Sequence, residues 1–463
     1  MLKRVLIANR GEVALRVLRA CRELDVETVA VYSEPDAEAL HVQLASQAVC
    51  IGPFPAVESY LNQNALLAVA KATGCDGLHP GYGFLSENAD FADACAKEGI
   101  TFVGPTGDII RKAGSKAAAR DLMRRAQIPV TPGSDGPITC VRDAEIAASN
   151  VGYPVLLKAA AGGGGRGIRR CDTPAQLPTA YAQAKAEALA CFGNDELYLE
   201  KLILNPRHIE FQILADDFGN VIHLGDRDCS IQRRNQKLIE EAPAYCLIPE
   251  LREKMGKAAV KAAEAVGYKN AGTVEFLLDA DKQNFYFMEI NTRIQVEHGV
   301  TEMVSGVDLV HEQLRIASGL PLRMRQEDIC LNGHSIECRI NAEDVRKDFC
   351  PSPGTVSFLH LPGGNGVRVD SALYSGCNIL PYYDSMAAKI LVHASTRLEA
   401  IRRMRRALEE FTLEGVQTNA ELSYQIMYHP SFVRGNCTTA FLDECLPRLL
   451  DFTQRVDEKE RQE

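Results

Sequence analysis

The sequence predicts an α/β chain of about three domains that opens in a parallel sheet with helices on both faces. Three observations carry this. The chain has 463 residues, room for about three units of roughly 100–200 residues each. Its opening stretch alternates short apolar runs with helical patterns. Beyond a glycine-rich loop, β-rich runs cluster and give the whole an α+β character.

Residues 5–8 form the first apolar run, and Gly11 supplies a turn into a helix with Val13, Val17, Cys21 and Leu24 on one face. Apolar runs follow at 28–32, 48–51, 77–79 and 101–103 with helical stretches between them, the rhythm of parallel strands joined by crossover helices. One long helical pattern covers 108–125, and PVTPGSDGP at 129–137 reads as a linker. A smaller unit of helix, strand (154–159), glycine loop, strand and helix ends near Glu200. β-rich runs lie at 208–215, 220–226, 272–279 and 284–291, with a helix of good formers at 249–266 among them. The last region holds strands near 335–340, 354–360 and 388–393 and a basic amphipathic helix at 397–411. The tail after Asp451 is highly charged and frays.

Composition narrows the function. A hydrophobic fraction of 46% and a charged fraction of 24% are those of a soluble globular protein. A net charge of -10 argues against a nucleic-acid partner. The 15 cysteines are scattered, without C-x-x-C or a His pair at metal spacing; this fits reduced thiols in the cytoplasm rather than disulfides or zinc. The N-terminus lacks the apolar core of a signal peptide, and no uncharged apolar run is long enough to cross a membrane.

The loop GGGGRG at 162–167 lets backbone N–H groups approach an anion unobstructed. A dinucleotide-binding loop requires a helix directly afterwards, whereas residues 168–171 read as a strand. Taken alone, the loop is either a flap over phosphates or a plain flexible hairpin. A Walker-type loop is excluded, because Ser115 and Ile110 stand where glycines must precede Lys116. Lys158 ends the strand before the flap, so its cation can reach the same phosphates; Lys116 by itself reads as a solvated lysine.

Glu275 lies inside the apolar run GTVEFLL, and Glu289 and Asn291 end FYFMEIN. An acid among buried hydrophobics is costly without compensation. Two acids and an amide on adjacent strands make an oxygen cluster suited to magnesium held on nucleotide phosphates; the alternative is a salt-bridged strand pair. NTRIQVEHG follows at once, and the Arg293 guanidinium can hold a planar anion while Glu297 accepts its proton. A surface ion pair between Arg293 and Glu297 is the plainer reading of that segment.

Three further polar clusters stand out: HPGYGFLSEN at 79–88, NPRHIE at 205–210 and DRDCSIQRRNQK at 226–237. Together with IANRGE at Ile7, EINTRIQVEH at Glu289, HSIECRINAED at His334 and PYYDSM at Pro381, these strings resemble the biotin carboxylase family of the ATP-grasp superfamily, nearly end to end.

The resemblance implies a Rossmann-like N-terminal domain at 1–113 and an ATP-grasp domain at 114–330 with a glycine-rich lid at about 132–203. It further implies a biotin carboxylase C-terminal domain at 331–447 and a charged tail at 448–463. It assigns Lys116, Lys158, Gly164, Gly165, Glu200, Lys201, His208, Gln232, Asn235, Glu275 and Glu289 to ATP, and Glu275, Glu289 and Asn291 to two magnesium or manganese ions. Lys237, Arg293, Gln295 and Val296 border bicarbonate, Glu297 is the base, and Arg339 stabilises the biotin enolate. The implied reaction is carboxylation of biotin on a biotin carboxyl carrier protein through carboxyphosphate. It is the first half reaction of acetyl-CoA carboxylase, shared with pyruvate, propionyl-CoA, oxoglutarate or urea carboxylases. Separate carboxyltransferase subunits and a homodimer complete the expectation.

The chain departs from the family pattern at three positions. Asn235 stands where His is usual and cannot carry charge. Gly299 replaces a Pro and loosens the backbone beside Glu297. Ala161 replaces the first glycine of the flap and stiffens it. These motivate one rival, a catalytically silent nucleotide-binding regulator; a second is an ATP-grasp ligase for another carboxylate.

Overall fold

A computed structural model describes residues 1–134, 136–159 and 167–460, without the side chains of Lys116, Ala117, Phe192 and 452–460. The expectations for Gly164, Gly165, Ala161 and the Lys116 ammonium lie outside the described residues.

The N-terminal rhythm becomes five strands: β1 (Arg4–Ile7), β2 (Glu27–Ser33), β3 (Gln47–Gly52), β4 (Gly77–His79) and β5 (Thr101–Phe102). They pair in parallel in the order β3-β2-β1-β4-β5. Gly11, at φ 66°, turns the chain into helix Gly11–Glu23, which buries Val13, Val17 and Cys21 while Leu24 caps its end.

The 108–125 pattern is not one helix. It breaks at Ser115 (φ -80°, ψ 100°) into Gly107–Gly114 and Lys116–Arg125, because Gly114 and Ser115 are both poor helix formers. The 129–137 linker bridges neighbouring units, with Val130 opposite Phe287 and Gly133 opposite Glu200. The smaller unit holds β6 (Val155–Ala159), β7 (Ile168–Cys171) and a strand missing from the sequence reading, β8 (Leu197–Lys201). β8 is LYLEK, whose Leu197 and Leu199 are fully buried against β6, a half-buried strand pattern too short to separate from a helix end.

An eight-stranded sheet carries the rest. Its strands include β9 (Arg207–Ala215), β10 (Val221–Arg233), β11 (Gln236–Ala242), β12 (Asn270–Leu278), β13 (Phe285–Asn291) and β14 (His334–Asn341). Strands Met386–Ala394 and Val367–Ser371 complete it beyond β14. The polar run 226–237 thus forms β10, a turn and the start of β11; the hairpin reverses at Arg234 and Asn235, with φ 49° and 66°, as in a type I′ turn. The 354–360 run splits into Gly354–Thr355 and Phe358–His360.

Both faces of this sheet are covered, yet its side chains alternate in kind. Ile209, Phe211, Ile213, Val274 and Phe276 point to an apolar core closed by helix Pro249–Val266. Ile336, Cys338, Ile340, Ala388, Ile390 and Val392 do the same beneath helix Arg397–Glu410. Phe276 meets Phe211, Phe285 and Phe287 edge to face, so truncating it costs about 3–5 kcal/mol. The intervening positions, among them Glu210, Glu275, Glu337, Arg339 and Lys389, share the opposite, polar side.

Candidate active site

On that polar side Lys237 is a hub. Its ammonium donates to Glu210 at 2.5 Å, to Glu297 at 2.6 Å and to Glu275 at 2.9 Å. Burial opposes its charge, but the three carboxylates outweigh burial and hold its pKa well above the ordinary lysine value. Burial likewise opposes charging Glu275 and Glu297, and Lys237 holds both below the usual carboxylate range, with help from His208 at Glu275 and from Arg339 and Arg227 at Glu297. All are ionised at neutral pH.

Arg227, wholly buried, fixes the floor of this site. Its guanidinium donates to Glu210, Gln212, Thr301, Thr273 and Gln295. Gln295 in turn donates to Glu275 at 2.8 Å and Asn291 does so at 2.9 Å. Arg339 joins Glu240 at 2.6 Å to Glu297 at 2.9 Å, so Glu297 is held between two cations. Arg293 leans on Glu87 of the HPGYGFLSEN segment at 3.0 Å, which ties the N-terminal unit to the NTRIQVEHG segment.

Two cavities flank the network. One, of about 220 Å³, is lined by Lys158, Glu200, Tyr198, Leu277, Met288 and Glu289, among others. Here Lys158 and Arg120 both bind Glu200. The ammonium of Lys201 instead holds the Gly152 and Tyr153 carbonyls at 2.9 and 2.8 Å. The other, of about 440 Å³, is bordered by Lys237, Val296, Arg339, Tyr82 and Arg10. Gln232 pairs with Lys237 across the β10–β11 hairpin, and Asn235 is exposed in its turn.

Glu275 and Glu289 stand directly opposite each other on β12 and β13, two residues from Asn291. These are hard oxygen donors, with Glu289 at the wall of the smaller cavity, and they suit magnesium. The tighter group His208, Glu210 and Glu275 suits it less. Burial opposes the charge on His208, yet Glu275 and Glu210 raise its pKa to about 9, so its ring is protonated and offers no lone pair.

Comparison with known proteins agrees with this architecture. The family model described as "Biotin carboxylase, N-terminal domain" matches residues 1–110, "Carbamoyl-phosphate synthase L chain, ATP binding domain" matches 115–325, and "Biotin carboxylase C-terminal domain" matches 337–444. "Biotin carboxylase 1" of Bacillus subtilis is 56% identical over 443 residues, covering 96% of this chain and 98% of the relative. The chain belongs to the biotin carboxylase family.

Biotin carboxylases are ATP-dependent ligases, and this chain is one. A second relative, the 2-oxoglutarate carboxylase small subunit of Hydrogenobacter thermophilus, is 52% identical over 460 residues, covering 99% of this chain and 97% of the relative. Among solved structures, a biotin carboxylase–β,γ-ATP complex from Campylobacter jejuni matches with a TM-score of 0.92 at 48% identity, over 96% of this chain and 99% of that one. The 2-oxoglutarate carboxylase biotin carboxylase domain dimer, with MgADP, ADP and bicarbonate, matches with 0.91 at 52%, over 97% and 98%. Among the described residues no helix is long and apolar enough to cross a membrane.

The sequence reading of this biotin carboxylase overlooked several site groups. Glu240 and Glu241 in KLIEEA carry the same signal that singled out Glu275, an acid in an apolar strand. Glu87 lay inside a recognised motif without a role. Arg120, one turn after Lys116, and the buried Arg227 offered no local signal, since each is defined by partners distant in sequence.

Proposed function

We propose that this chain carboxylates biotin on a biotin carboxyl carrier protein, as the first half reaction of an acetyl-CoA carboxylase that feeds malonyl-CoA to fatty acid synthesis. The observation that carries the reading is Glu297, an ionised carboxylate gripped between Lys237 and Arg339, two cations that border the larger cavity.

In this reading bicarbonate lies against Arg293, Gln295, Val296 and Lys237. Glu297 takes its proton, and the freed oxygen attacks the terminal phosphoryl group of ATP to give carboxyphosphate and ADP. Lys158 and His208 supply cations for the phosphates, with Lys116, Gly164, Gly165, Glu200, Lys201, Gln232 and Asn235 completing the nucleotide site. Glu275, Glu289 and Asn291 would hold two magnesium or manganese ions, which would neutralise phosphate charge. Carboxyphosphate breaks down to carbon dioxide and phosphate; the phosphate takes the biotin ring proton, and Arg339 holds the enolate oxygen while the ring nitrogen attacks carbon dioxide. The lid at about 132–203, part of an ATP-grasp unit at 114–330 that follows the unit 1–113 and precedes the unit 331–447 along the chain, keeps water from the intermediate.

The protein works in the cytoplasm as a homodimer beside carboxyltransferase subunits, consistent with its free cysteines and with the dimer of its oxoglutarate relative. That same relative keeps a second acceptor, 2-oxoglutarate, in view; pyruvate and propionyl-CoA share the half reaction. ATP cleavage with and without bicarbonate and free biotin tests the reading: cleavage must require bicarbonate and rise with biotin. Carboxylation assays with each acyl acceptor and the matching carboxyltransferase then choose the acceptor.

A further inference from the structure

We propose that Lys389 is a positioning residue for the bicarbonate segment, acting through the Val296 carbonyl; the inference rests on the function proposed above. Lys389, on strand Met386–Ala394, stands opposite Arg339 on β14 and opposite Asp370 on strand Val367–Ser371. The three form one cross-strand row on the polar side of the sheet. Two cations directly opposite one another are unfavourable, so the row needs a use for the second.

The side chain of Lys389 is 0% exposed. Its ammonium donates to the Val296 carbonyl at 2.8 Å and lies 3.3 Å from Glu12 and 3.7 Å from Asp370. Burial opposes its charge, but Glu12, Glu337 and Asp370 outweigh burial and raise its pKa above the ordinary value. Glu12, in the first turn of helix Gly11–Glu23, also accepts from the Tyr82 hydroxyl. A chain Tyr82–Glu12–Lys389–Val296, buried at Glu12 and Lys389, therefore runs behind the wall of the larger cavity and ends on the peptide that links Val296 to Glu297.

Removing the ammonium takes the donor from the part-buried Val296 carbonyl and frees that peptide to turn. A displacement of about 1 Å at reacting groups costs on the order of 100-fold in rate. The smaller cavity, with the ATP-assigned Lys158, Glu200 and Glu289 in its wall, is lined by neither Val296 nor Glu297, so KM for ATP is the control.

The test is steady-state ATP cleavage by Lys389→Met and by Glu12→Gln/Lys389→Met, which removes the buried ammonium together with its nearest carboxylate charge. Both variants are expected to raise KM for bicarbonate tenfold or more and to lower kcat, with KM for ATP within twofold of wild type. An unchanged KM for bicarbonate in either folded variant, a matching rise in both KM values, or loss of folding in both would overturn the role. A wild-type chain without bicarbonate-dependent cleavage would instead overturn the proposed function, and this role with it.

Discussion

The Lys237 ammonium lies 2.6 Å from Glu297, the closest ion pair that Glu297 makes with a side chain 12% exposed while its own is 2% exposed. The same ammonium neutralises Glu210 and Glu275. Lys237→Met strands three buried carboxylates. Its expected cost is about 3–5 kcal/mol of stability, read by urea unfolding, together with loss of nearly all bicarbonate-dependent ATP cleavage. Wild-type stability would show that the carboxylates are not buried as described.

Glu297→Gln keeps the shape of the side chain and its contacts to Arg339 while removing the proton acceptor. Turnover with biotin is expected to fall by about 10²–10⁴, the range of general-base catalysis, with the circular dichroism spectrum unchanged. Retained turnover would assign the base elsewhere.

The pH dependence of stability has a specific source. Burial raises the Glu240 carboxyl to about 7 from an ordinary 4.5; Glu297 adds to this, and Arg339 and Lys237 oppose it only in part. Between those two pH values the folded chain keeps a proton that the unfolded chain has released. The contribution is therefore full below pH 4.5 and disappears as pH rises through 7, a change of about 3 kcal/mol. Chemical denaturation across this range should show a shallower fall for Glu240→Gln than for wild type; equal slopes would refute the assignment.

Gly299 does not loosen the backbone as the sequence suggested. It is buried in helix His298–Ser305, and a β-carbon there would lie 2.4 Å from Cδ2 of Leu391, which fills the space. Gly299→Ala is expected to cost about 1–3 kcal/mol by overpacking, with part recovered in Gly299→Ala/Leu391→Val. Strictly additive effects in the double-mutant cycle would show that the two do not share the space.

Asn235 occupies a left-handed turn position, φ 66°, that both Asn and His adopt readily. Asn235→His should leave the melting temperature within a few degrees of wild type while lowering KM for ATP at pH 6 and not at pH 8. A pH-independent KM would remove this residue from the nucleotide site.

Much of the site was readable one strand at a time. His208, Glu210 and Gln212 alternate with Ile209, Phe211 and Ile213, and Glu275 interrupts an apolar strand. Such a pattern announces a polar face under cover. The polar run 226–237 hid its strands because its residues are charged; only burial against other charges makes Arg227 a strand residue. Strand β8 and the break at Ser115 were lost to short length and to helix formers on either side.

By itself, the sequence determined the element types, the alternation along each strand and the motifs of the family, since those depend on neighbours along the chain. Only the tertiary structure decided that Lys237 serves three acids, that Glu240 stands behind Arg339 and that Lys389 reaches Val296. Those groups come from strands whose order and register bring distant residues within 3 Å, and Coulomb energy in a buried site depends on that separation in space.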